Sequence, residues 1–376
     1  MKYCSQCLQP DTRPNTVFLP TGICPACNYF NHLNDVDYPN RYEILKKIFL
    51  NYPKKSGQYF DCIIGVSGGK DSTRQALWIR EKLGMKPLLV CCTYPPEQVT
   101  HRGVNNLSNL IELGFDVVIS APAPGTWKIL MRESFLQFTN WAKSTEMALY
   151  SSVPRLAIQY GIQLILWGEN PGLQLGDMKT LGATGYDGNN LRNMNTLANG
   201  SDWMLDIGLN LKDLIAYQYP KVEEFEASEL QIIYLGWFLA DWSNVNNAMY
   251  SIANGLEIRT DTVRNTGDLF GITALDEDWV TLNQMIKYYK YGFGRATDYV
   301  NEEIRLGRMS RKDGIELVNQ YDNVCSEKYI KSFCDYIDIS VAQFWEKVYN
   351  SINKNLFEIK PKGVIKKKFK VGIGLA

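Results

Sequence analysis

The sequence has no excess of charge of either sign, because its forty Lys and Arg residues match its forty Asp and Glu residues. Proteins that bind a nucleic-acid backbone usually carry a clear basic excess. The balance therefore argues against tRNA or DNA as the main partner. Histidine is also scarce, with only His32 and His101 in 376 residues. A mechanism centred on histidine acid–base chemistry is therefore disfavoured.

Long apolar runs are absent as well. The sequence contains no uninterrupted apolar stretch of the roughly 18 residues that a membrane-spanning helix needs. Its first residues, MKYCSQCLQPDTRP, lack the apolar core of a secretory signal. We therefore expect a cytoplasmic protein without a membrane partner. The length favours two or three domains over a single one.

Four of the nine cysteines form two Cys-x-x-Cys pairs, Cys4 with Cys7 and Cys24 with Cys27. Two such pairs at this spacing predict a closed, tetrahedral zinc site with a structural role. The segment around them is short of apolar residues, so it needs a cross-link of this kind to fold. Free thiols, two disulfides, or a ribbon that reads nucleic acid are the alternatives, and the last is disfavoured by the lack of basic residues.

Apolar, strand-like segments alternate with helical ones from about residue 59 onward. We predict four strands, at 59–66, 86–94, 115–121 and 163–168. This alternation predicts an α/β fold with a doubly wound parallel sheet. Ligands of such sheets bind beyond the carboxyl ends of the strands. We therefore look for functional residues directly after each strand.

The chain divides into three predicted domains: a zinc-binding knuckle at 1–40, an α/β domain at 41–222 and a mainly helical, aromatic-rich domain at 223–376. The helix after the second strand is expected to bury Val104, Leu107 and Ile111, which recur at helical spacing.

The strongest chemical signal is the hexapeptide Ser67-Gly68-Gly69-Lys70-Asp71-Ser72, between a predicted strand and a predicted helix. Adjacent glycines let the backbone turn sharply and present its N–H groups to an anion, and the start of a helix adds a positive dipole end. Lys70 and the two serine hydroxyls add further donors. The spacing differs from a Walker A loop, in which four residues separate the first glycine from Gly-Lys. An acid beside a polyphosphate is suited to hold Mg²⁺, so Asp71 is the predicted magnesium ligand.

SGGKDS resembles the PP-loop of the N-type ATP pyrophosphatases, a HUP-like family that includes GMP synthetase, asparagine synthetase and tRNA thiolation enzymes. The resemblance implies that ATP is cleaved between its α- and β-phosphates. It assigns catalysis to Lys70 and Asp71, and ATP binding to Ser67, Gly68, Gly69, Lys70, Asp71 and Ser72, with Thr93 and Gly168 at the ends of neighbouring strands.

Two further segments carry candidate substrate residues. Glu169 and Asn170 follow the fourth predicted strand, where they can face the nucleotide or the acceptor, or merely cap a turn. Lys290 and Arg295 lie in KYGFGRATD, and an arginine there suits a phosphorylated or nucleotide-linked acceptor. A turn that connects two helices is the alternative interpretation of this run.

The two Cys-x-x-Cys pairs, SGGKDS, GENPG, YLGWFLADW and KYGFGRATD together resemble the N-acetyl sugar amidotransferases of bacterial surface-polysaccharide and flagellar-glycan synthesis, including the pseudaminic and legionaminic acid type. Arg74 and Gln75 depart from the expected pattern. The resemblance implies that ATP activates the acetamido oxygen of a sugar and that ammonia then displaces AMP to give an acetamidino group. The sequence shows no glutaminase motif. The resemblance therefore also implies a separate glutaminase subunit and a channel-forming, cyclase-like subunit.

A tRNA thiolation enzyme is the main alternative, since such enzymes also combine a PP-loop with Cys-x-x-Cys pairs. It would require a basic surface and reactive cysteines near the nucleotide, and only Cys91 and Cys92 are candidates. A non-enzymatic zinc-ribbon protein is a third interpretation, and the intact Lys70-Asp71-Ser72 sequence disfavours it.

Overall fold

The structure is a computed structural model that describes residues 1–197 and 200–375. Its centre is a parallel sheet with the strand order β3-β2-β1-β4-β5. The strands are β1 (Cys62–Gly65), β2 (Pro87–Cys92), β3 (Val117–Ser120), β4 (Leu164–Trp167) and β5 (Gln231–Tyr234). The chain leaves β1 toward one edge of the sheet and returns through β4 toward the other. The gap between the ends of β1 and β4 is therefore the topological switch point, where ligands of such sheets bind.

Alternate residues of each strand face opposite sides of the sheet, and both sides are covered. Ile64, with Leu166 and Ile233 beside it, packs against the helices on one face. Ile63 and Ile165 pack against the other face together with Val153. Parallel sheets require such two-sided cover because both of their faces are apolar. The predicted fold class, a doubly wound α/β sheet with an N-terminal cysteine cluster and a helical C-terminal region, is confirmed.

The helices of the first two thirds of the chain surround this sheet. They are α1 (Pro25–Asn31), α2 (Tyr38–Asn51), α3 (Lys70–Leu83), α4 (His101–Glu112), α5 (Pro124–Phe138), α6 (Ala142–Tyr160), α7 (Pro171–Gln174) and α8 (Val222–Ala227). Left-handed Gly84 ends α3 and left-handed Gly161 ends α6.

The last third of the chain is mainly helical. Its helices are α9 (Asn244–Ile252), α10 (Val263–Thr266), α11 (Val280–Tyr291), α12 (Arg295–Arg305), α13 (Arg311–Tyr321), α14 (Glu327–Tyr336) and α15 (Val341–Ser351). Two short antiparallel pairs follow, formed by β6 (Phe357–Ile359), β7 (Ile365–Lys367), β8 (Phe369–Lys370) and β9 (Gly374–Leu375). The largest apolar core joins these helices to α5, for example through Phe135 between Phe333 and Phe344.

Two secondary-structure expectations need correction. The predicted buried face of α4 is wrong, because Val104 and Ile111 are about half exposed and Gly103, Asn106 and Leu110 are buried instead. The segment that contains Tyr234 was assigned to the helical region, but β5 pairs with β4 and completes the sheet. The domain boundary at residue 223 therefore precedes a strand of the central sheet, and the division into three domains stays a prediction.

In the part of the chain that the structure describes, no helix combines the length and the apolar character needed to cross a bilayer.

Candidate functional site

The loop between β1 and α3 is shaped by two glycines. Gly68 has a φ of 74°, and a Cβ on it would lie 3.0 Å from the backbone of Asn106 in α4. A side chain at this position is therefore excluded both by conformation and by space. Gly69 is the N-cap of α3 and has no side chain to bond its first N–H groups. The start of α3 is thus open toward an anion.

Lys70 and Asp71 open α3 and form an ion pair, with 2.6 Å between Nζ and a carboxylate oxygen. Burial alone would lower the pKa of Lys70, but the charge and hydrogen bond of Asp71, together with Glu169 and Glu302, raise it above its usual value. Lys70 is 6% exposed and therefore carries its positive charge in a mostly dry site. Ser72 donates a hydrogen bond from its hydroxyl to the Gly69 carbonyl oxygen, at 3.1 Å.

A chain of hydrogen bonds fixes Asp71 from behind. Asn247 in α9 donates its amide to the second carboxylate oxygen of Asp71, at 2.6 Å. The guanidinium of Arg74 in turn donates to the amide oxygen of Asn247, at 2.8 Å, and forms an ion pair with Asp241. Arg74, which departs from the expected family pattern, is therefore buried behind the loop, where it orients the group that holds Asp71.

A first cavity of about 290 Å³ opens at the carboxyl ends of β1 and β4. The loop supplies part of its wall through Ser67, Gly69, Asp71 and Ser72. The remaining wall comes from strand ends and from α3 and α6: Gly65, Val66, Gln75, Val90, Cys92, Glu146, Leu149, Tyr150, Ser152, Val153, Trp167, Gly168 and Glu169. Tyr150 and Trp167 stack with 5.3 Å between ring centroids, which gives the cavity a flat aromatic side.

Gly168 and Glu169 follow β4 and face the loop across the switch point. A Cβ on Gly168 would lie 2.7 Å from the side-chain amide nitrogen of Gln75 and 2.8 Å from the ring of Trp242, so a larger residue would require both side chains to move. The side chain of Glu169 is exposed to solvent at the cavities, although protein atoms surround its carboxyl closely. This enclosure, together with the negative charges of Asp71 and Glu302, raises the pKa of Glu169 to about 7 despite the opposing effect of Lys70.

A second cavity of about 180 Å³ lies on the other side of the same residues. Lys70, Asp71 and Glu169 form one wall of it, and Asp71 and Glu169 are shared with the first cavity. Helix α12 contributes Arg295, Asp298, Tyr299, Glu302 and Arg305 to the lining, and the remaining lining comes from Gln174, Leu175, Trp242, Asn244 and Thr273.

The charged residues of α12 recur at intervals of three and four, and so they lie on one face of the helix. Asp298 pairs with Arg13 and with Lys287, and these cations hold the pKa of its carboxyl well below the usual range although burial opposes them. Glu302 accepts hydrogen bonds from the backbone and side chain of Asn244, at 2.8 and 2.9 Å. Burial nevertheless raises the pKa of Glu302.

The structure brings most of the sequence-predicted site residues together but leaves four outside both cavities. One of them, Gly68, shapes the turn of the loop, and the other three are Thr93, Asn170 and Lys290. Thr93 lies at the end of β2. Asn170 caps α7, with its amide oxygen accepting from the N–H of Leu173 and its amide donating to Gly185, as in the alternative interpretation of a turn cap. The ammonium group of Lys290 donates to the carbonyl oxygens of Phe138 and Thr139 at the end of α5. These contacts give no support to a binding role for the three.

The four cysteines of the knuckle form a buried cluster. The Sγ atoms of Cys4, Cys7, Cys24 and Cys27 all lie within 4.8 Å of one another, and two of the distances are 3.7 Å. Zinc–sulfur bonds of about 2.3 Å in a tetrahedron place sulfur atoms about 3.8 Å apart. Backbone N–H groups also point at the sulfurs, as in the 3.2 Å contact from Cys24 to Cys4. The cluster can therefore hold a zinc ion.

Arg305 links this cluster to the second cavity. Its guanidinium lies 3.6 Å from the sulfurs of Cys7 and Cys24 and donates to the carbonyl oxygen of Gln174, at 3.0 Å. A four-thiolate zinc site carries a net negative charge, which an adjacent guanidinium offsets. The N-terminal knuckle is thus fixed to α12, and the backbone N–H of Leu8 adds a 2.7 Å bond to Asn301 of the same helix.

Comparison with known proteins gives two findings. Residues 266–370 match the family described as LPS biosynthesis protein WbpG-like, C-terminal domain. Among solved structures, the chain is similar to an NMN synthetase from Francisella tularensis, with 16% identity and a TM-score of 0.26 over 57% of this chain and 94% of the other. No curated protein matches.

Sequence reasoning missed Gln75, Glu146 and Tyr150 in the first cavity and Glu302 and Arg305 in the second. The first three lie in helix interiors with no local motif to mark them. The α12 residues did leave a signal, since Arg295, Asp298, Glu302 and Arg305 follow one helical face. A run of charged residues on one face is common on solvated helices, and only the fold shows that this face is turned toward the loop.

Proposed function

We propose that this protein is an ATP-dependent enzyme of bacterial polysaccharide synthesis that forms AMP and converts the acetamido group of a sugar to an acetamidino group. The observation that carries the proposal is that two cavities meet at Asp71 and Glu169, one formed by the phosphate-binding loop and one by α12. Two adjoining sites of this kind suit a reaction that joins a nucleotide to an acceptor. The family match of residues 266–370, whose name refers to lipopolysaccharide, supports a sugar as the acceptor.

ATP is proposed to occupy the first cavity. The free N–H groups at the start of α3 and the Ser67 and Ser72 hydroxyls supply donors for its phosphates. The ammonium of Lys70, paired with Asp71 at the border of the second cavity, adds positive charge nearby. The flat side formed by Tyr150 and Trp167 suits a nucleobase. Asp71 and the phosphates would hold Mg²⁺, which neutralises charge on the departing pyrophosphate when it is bound.

The reaction has two displacement steps. The acetamido oxygen attacks the α-phosphorus of ATP, the bond from that phosphorus to the bridging oxygen breaks, and pyrophosphate leaves with the electron pair. Ammonia then attacks the carbon of the O-adenylyl imidate, the carbon–oxygen bond breaks, and AMP leaves with its oxygen. The amidinium product retains one proton fewer than its precursors supply, so one proton must be accepted.

Glu169 is suited to accept that proton. Its carboxyl borders both cavities, and its pKa of about 7 lets it exist as a base at neutral pH and hold a proton once it has taken one. A carboxyl with its ordinary pKa would be a much weaker base. The like charges of Asp71 and Glu302 that raise this pKa are therefore part of the proposed chemistry.

Two observations weaken the alternative of tRNA thiolation. That chemistry requires a reactive thiolate near the nucleotide. Cys92 lines the first cavity, but burial and the nearby Asp276 raise its pKa to about 12, so it remains a thiol. The balanced charge of the chain also lacks the basic excess that tRNA binding favours.

The experiment is to incubate the purified protein with ATP, Mg²⁺, ammonium chloride and a panel of acetamido sugars, and to follow nucleotides and sugars by mass spectrometry. The expected result is AMP, pyrophosphate and a sugar in which NH replaces oxygen. Release of ADP, or of AMP without this product, would contradict the proposal. Ammonium is expected to suffice because the proposed glutaminase and channel-forming subunits only deliver ammonia. If the purified chain alone used glutamine and did not use ammonium, the proposal that a separate subunit supplies the ammonia would be contradicted.

A further inference from the structure

Most charged side chains of the second cavity already have partners within the described chain. Lys70 pairs with Asp71, and Asp298 pairs with Arg13 and Lys287. Glu302 is bonded by Asn244. A ligand that enters the cavity would have to break these pairs in order to use them, at the cost of leaving a buried charge unpaired.

Arg295 is different. Within residues 1–197 and 200–375, its guanidinium makes no hydrogen bond and no ion pair, although it is half-buried and lines the cavity. It is the first residue of α12, and the carboxyl that follows it on the same face, Asp298, is already shared by two other cations. A guanidinium has five N–H donors, so a half-buried one without partners is open to an incoming acceptor group.

The remaining open positions surround the same space. Glu169 also makes no hydrogen bond within the described residues, and it lines the same cavity as Arg295. Their charges affect one another, since Arg295 counteracts the rise in the pKa of Glu169. In the part of the chain that the structure describes, the Nε atom of Arg305, which also lines this cavity, is buried without a hydrogen-bond partner. The cavity thus has a site for a reacting group beside Asp71 and Glu169, and a cationic site on α12.

We propose that the second cavity binds the acceptor and that Arg295 pairs with an anionic group of that acceptor, a phosphate or a carboxylate. The inference rests on the proposed function, because it assigns the acceptor to the cavity that adjoins the ATP site. Planar guanidinium groups bind both kinds of anion through two parallel hydrogen bonds. The cavity volume of about 180 Å³ is below that of most small-molecule sites, so it suits one sugar ring with its charged group, and a nucleotide attached to the sugar would extend outside.

The test compares acceptors that share an acetamido group and differ in charge. N-acetylglucosamine is the neutral member, N-acetylglucosamine 1-phosphate and its UDP ester carry phosphate, and N-acetylneuraminate carries a carboxylate. The wild-type protein is expected to release AMP with a higher kcat/KM for at least one anionic acceptor than for the neutral one. The acceptor with the highest kcat/KM shows whether the anionic group that Arg295 binds is a phosphate or a carboxylate.

Replacing Arg295 is expected to remove this preference. Arg295→Ala should lower kcat/KM for the anionic acceptor about 10- to 100-fold, mainly through KM, while the value for the neutral acceptor changes little. Arg295→Lys should retain part of the preference because it keeps the charge. Arg264→Ala, at an exposed arginine on α10, is the matched control and should behave as the wild type.

The outcomes separate the inference from the function on which it rests. AMP release with equal kcat/KM for neutral and charged acceptors, or a preference that survives in Arg295→Ala, would overturn the inference and leave the function in place. ATP binding without AMP release for any acetamido sugar would overturn both. Circular dichroism and the melting temperature of Arg295→Ala establish that the variant is folded.

Discussion

Glu169 owes its proposed role to its surroundings, which raise its pKa to about 7. Below that pH the carboxyl is protonated, so the base form falls about tenfold for each further pH unit. We therefore expect kcat at saturating ammonia to rise with pH through about 7 and then level off. Glu169→Gln should lower the maximal kcat and remove the rise of kcat with pH, as measured by AMP release from pH 5.5 to 8.5. If kcat of the variant still rose with pH in the same way, the pH dependence would have to come from another group.

Asp71 carries a different prediction, because its role depends on charge and not on proton transfer. Asp71→Asn keeps the size of the side chain but removes the carboxylate proposed to hold Mg²⁺. We expect AMP and pyrophosphate formation to fall at least about 100-fold while the melting temperature changes little. The control is Asp206→Asn, at an exposed acid outside both cavities. Turnover close to that of the wild type in Asp71→Asn would contradict the metal-binding role.

Helix α9 supports the start of α3 through two side-chain hydrogen bonds. Besides the bond from Asn247 to Asp71, the hydroxyl of Ser251 donates to the carbonyl oxygen of Lys70, at 2.7 Å. Two residues one turn apart on α9 thus hold the first turn of α3 in place. The loop is held by Asn247, which lies 176 residues after Asp71 in the chain, and no local pattern could reveal this contact.

This contact gives a prediction with a close control. Asn247→Ala should free the carboxylate of Asp71 and lower activity or apparent Mg²⁺ affinity about 10- to 100-fold, as loss of a group that orients a metal ligand typically does. Asn246→Ala changes the same residue type at the preceding position of α9. The side-chain amide of Asn246 donates to the backbone carbonyl oxygen of Asp241 and not to the loop. Initial rates measured against Mg²⁺ concentration should separate the two variants, and equal effects would show that α9 acts only through stability.

How far the sequence predicts the elements depends on which contacts they make. Buried parallel strands such as β1 and β4 are continuous apolar runs, and they were found although their ends were placed too far out. The prediction of the buried face of α4 was wrong because this helix contacts its neighbours through polar and small residues. The amide of Asn106 bonds the backbone of Glu257 in both directions, at 2.9 and 2.7 Å, and Gly103 admits Asp276 at close range. Hydrophobic periodicity does not detect such an interface.

Across the molecule, the candidate site combines residues from distant parts of the chain. The loop and Glu169 were predicted from local motifs, whereas the second cavity needs α12, and α12 is held by the N-terminal knuckle. Arg305 contacts Cys7 and Cys24, and Arg13 pairs with Asp298 on the same helix. The sequence predicts each motif, but it does not predict that the knuckle packs against α12, which lines the second cavity.

If the cysteine cluster holds zinc, as proposed, the metal should affect α12 as well as the knuckle. Cys24→Ser is expected to lower zinc content and to reduce the melting temperature by about 5 °C or more, because the cluster joins two otherwise separate segments. Hydrogen–deuterium exchange should rise in the knuckle and in α12, since Arg305 loses the charge that it offsets, and stay unchanged in β1 and β2. Cys325→Ser, at a half-buried thiol that is not part of the cluster, is the control. Faster exchange confined to the knuckle would mean that α12 is held without the metal, and the proposed link through Arg305 would have to be abandoned.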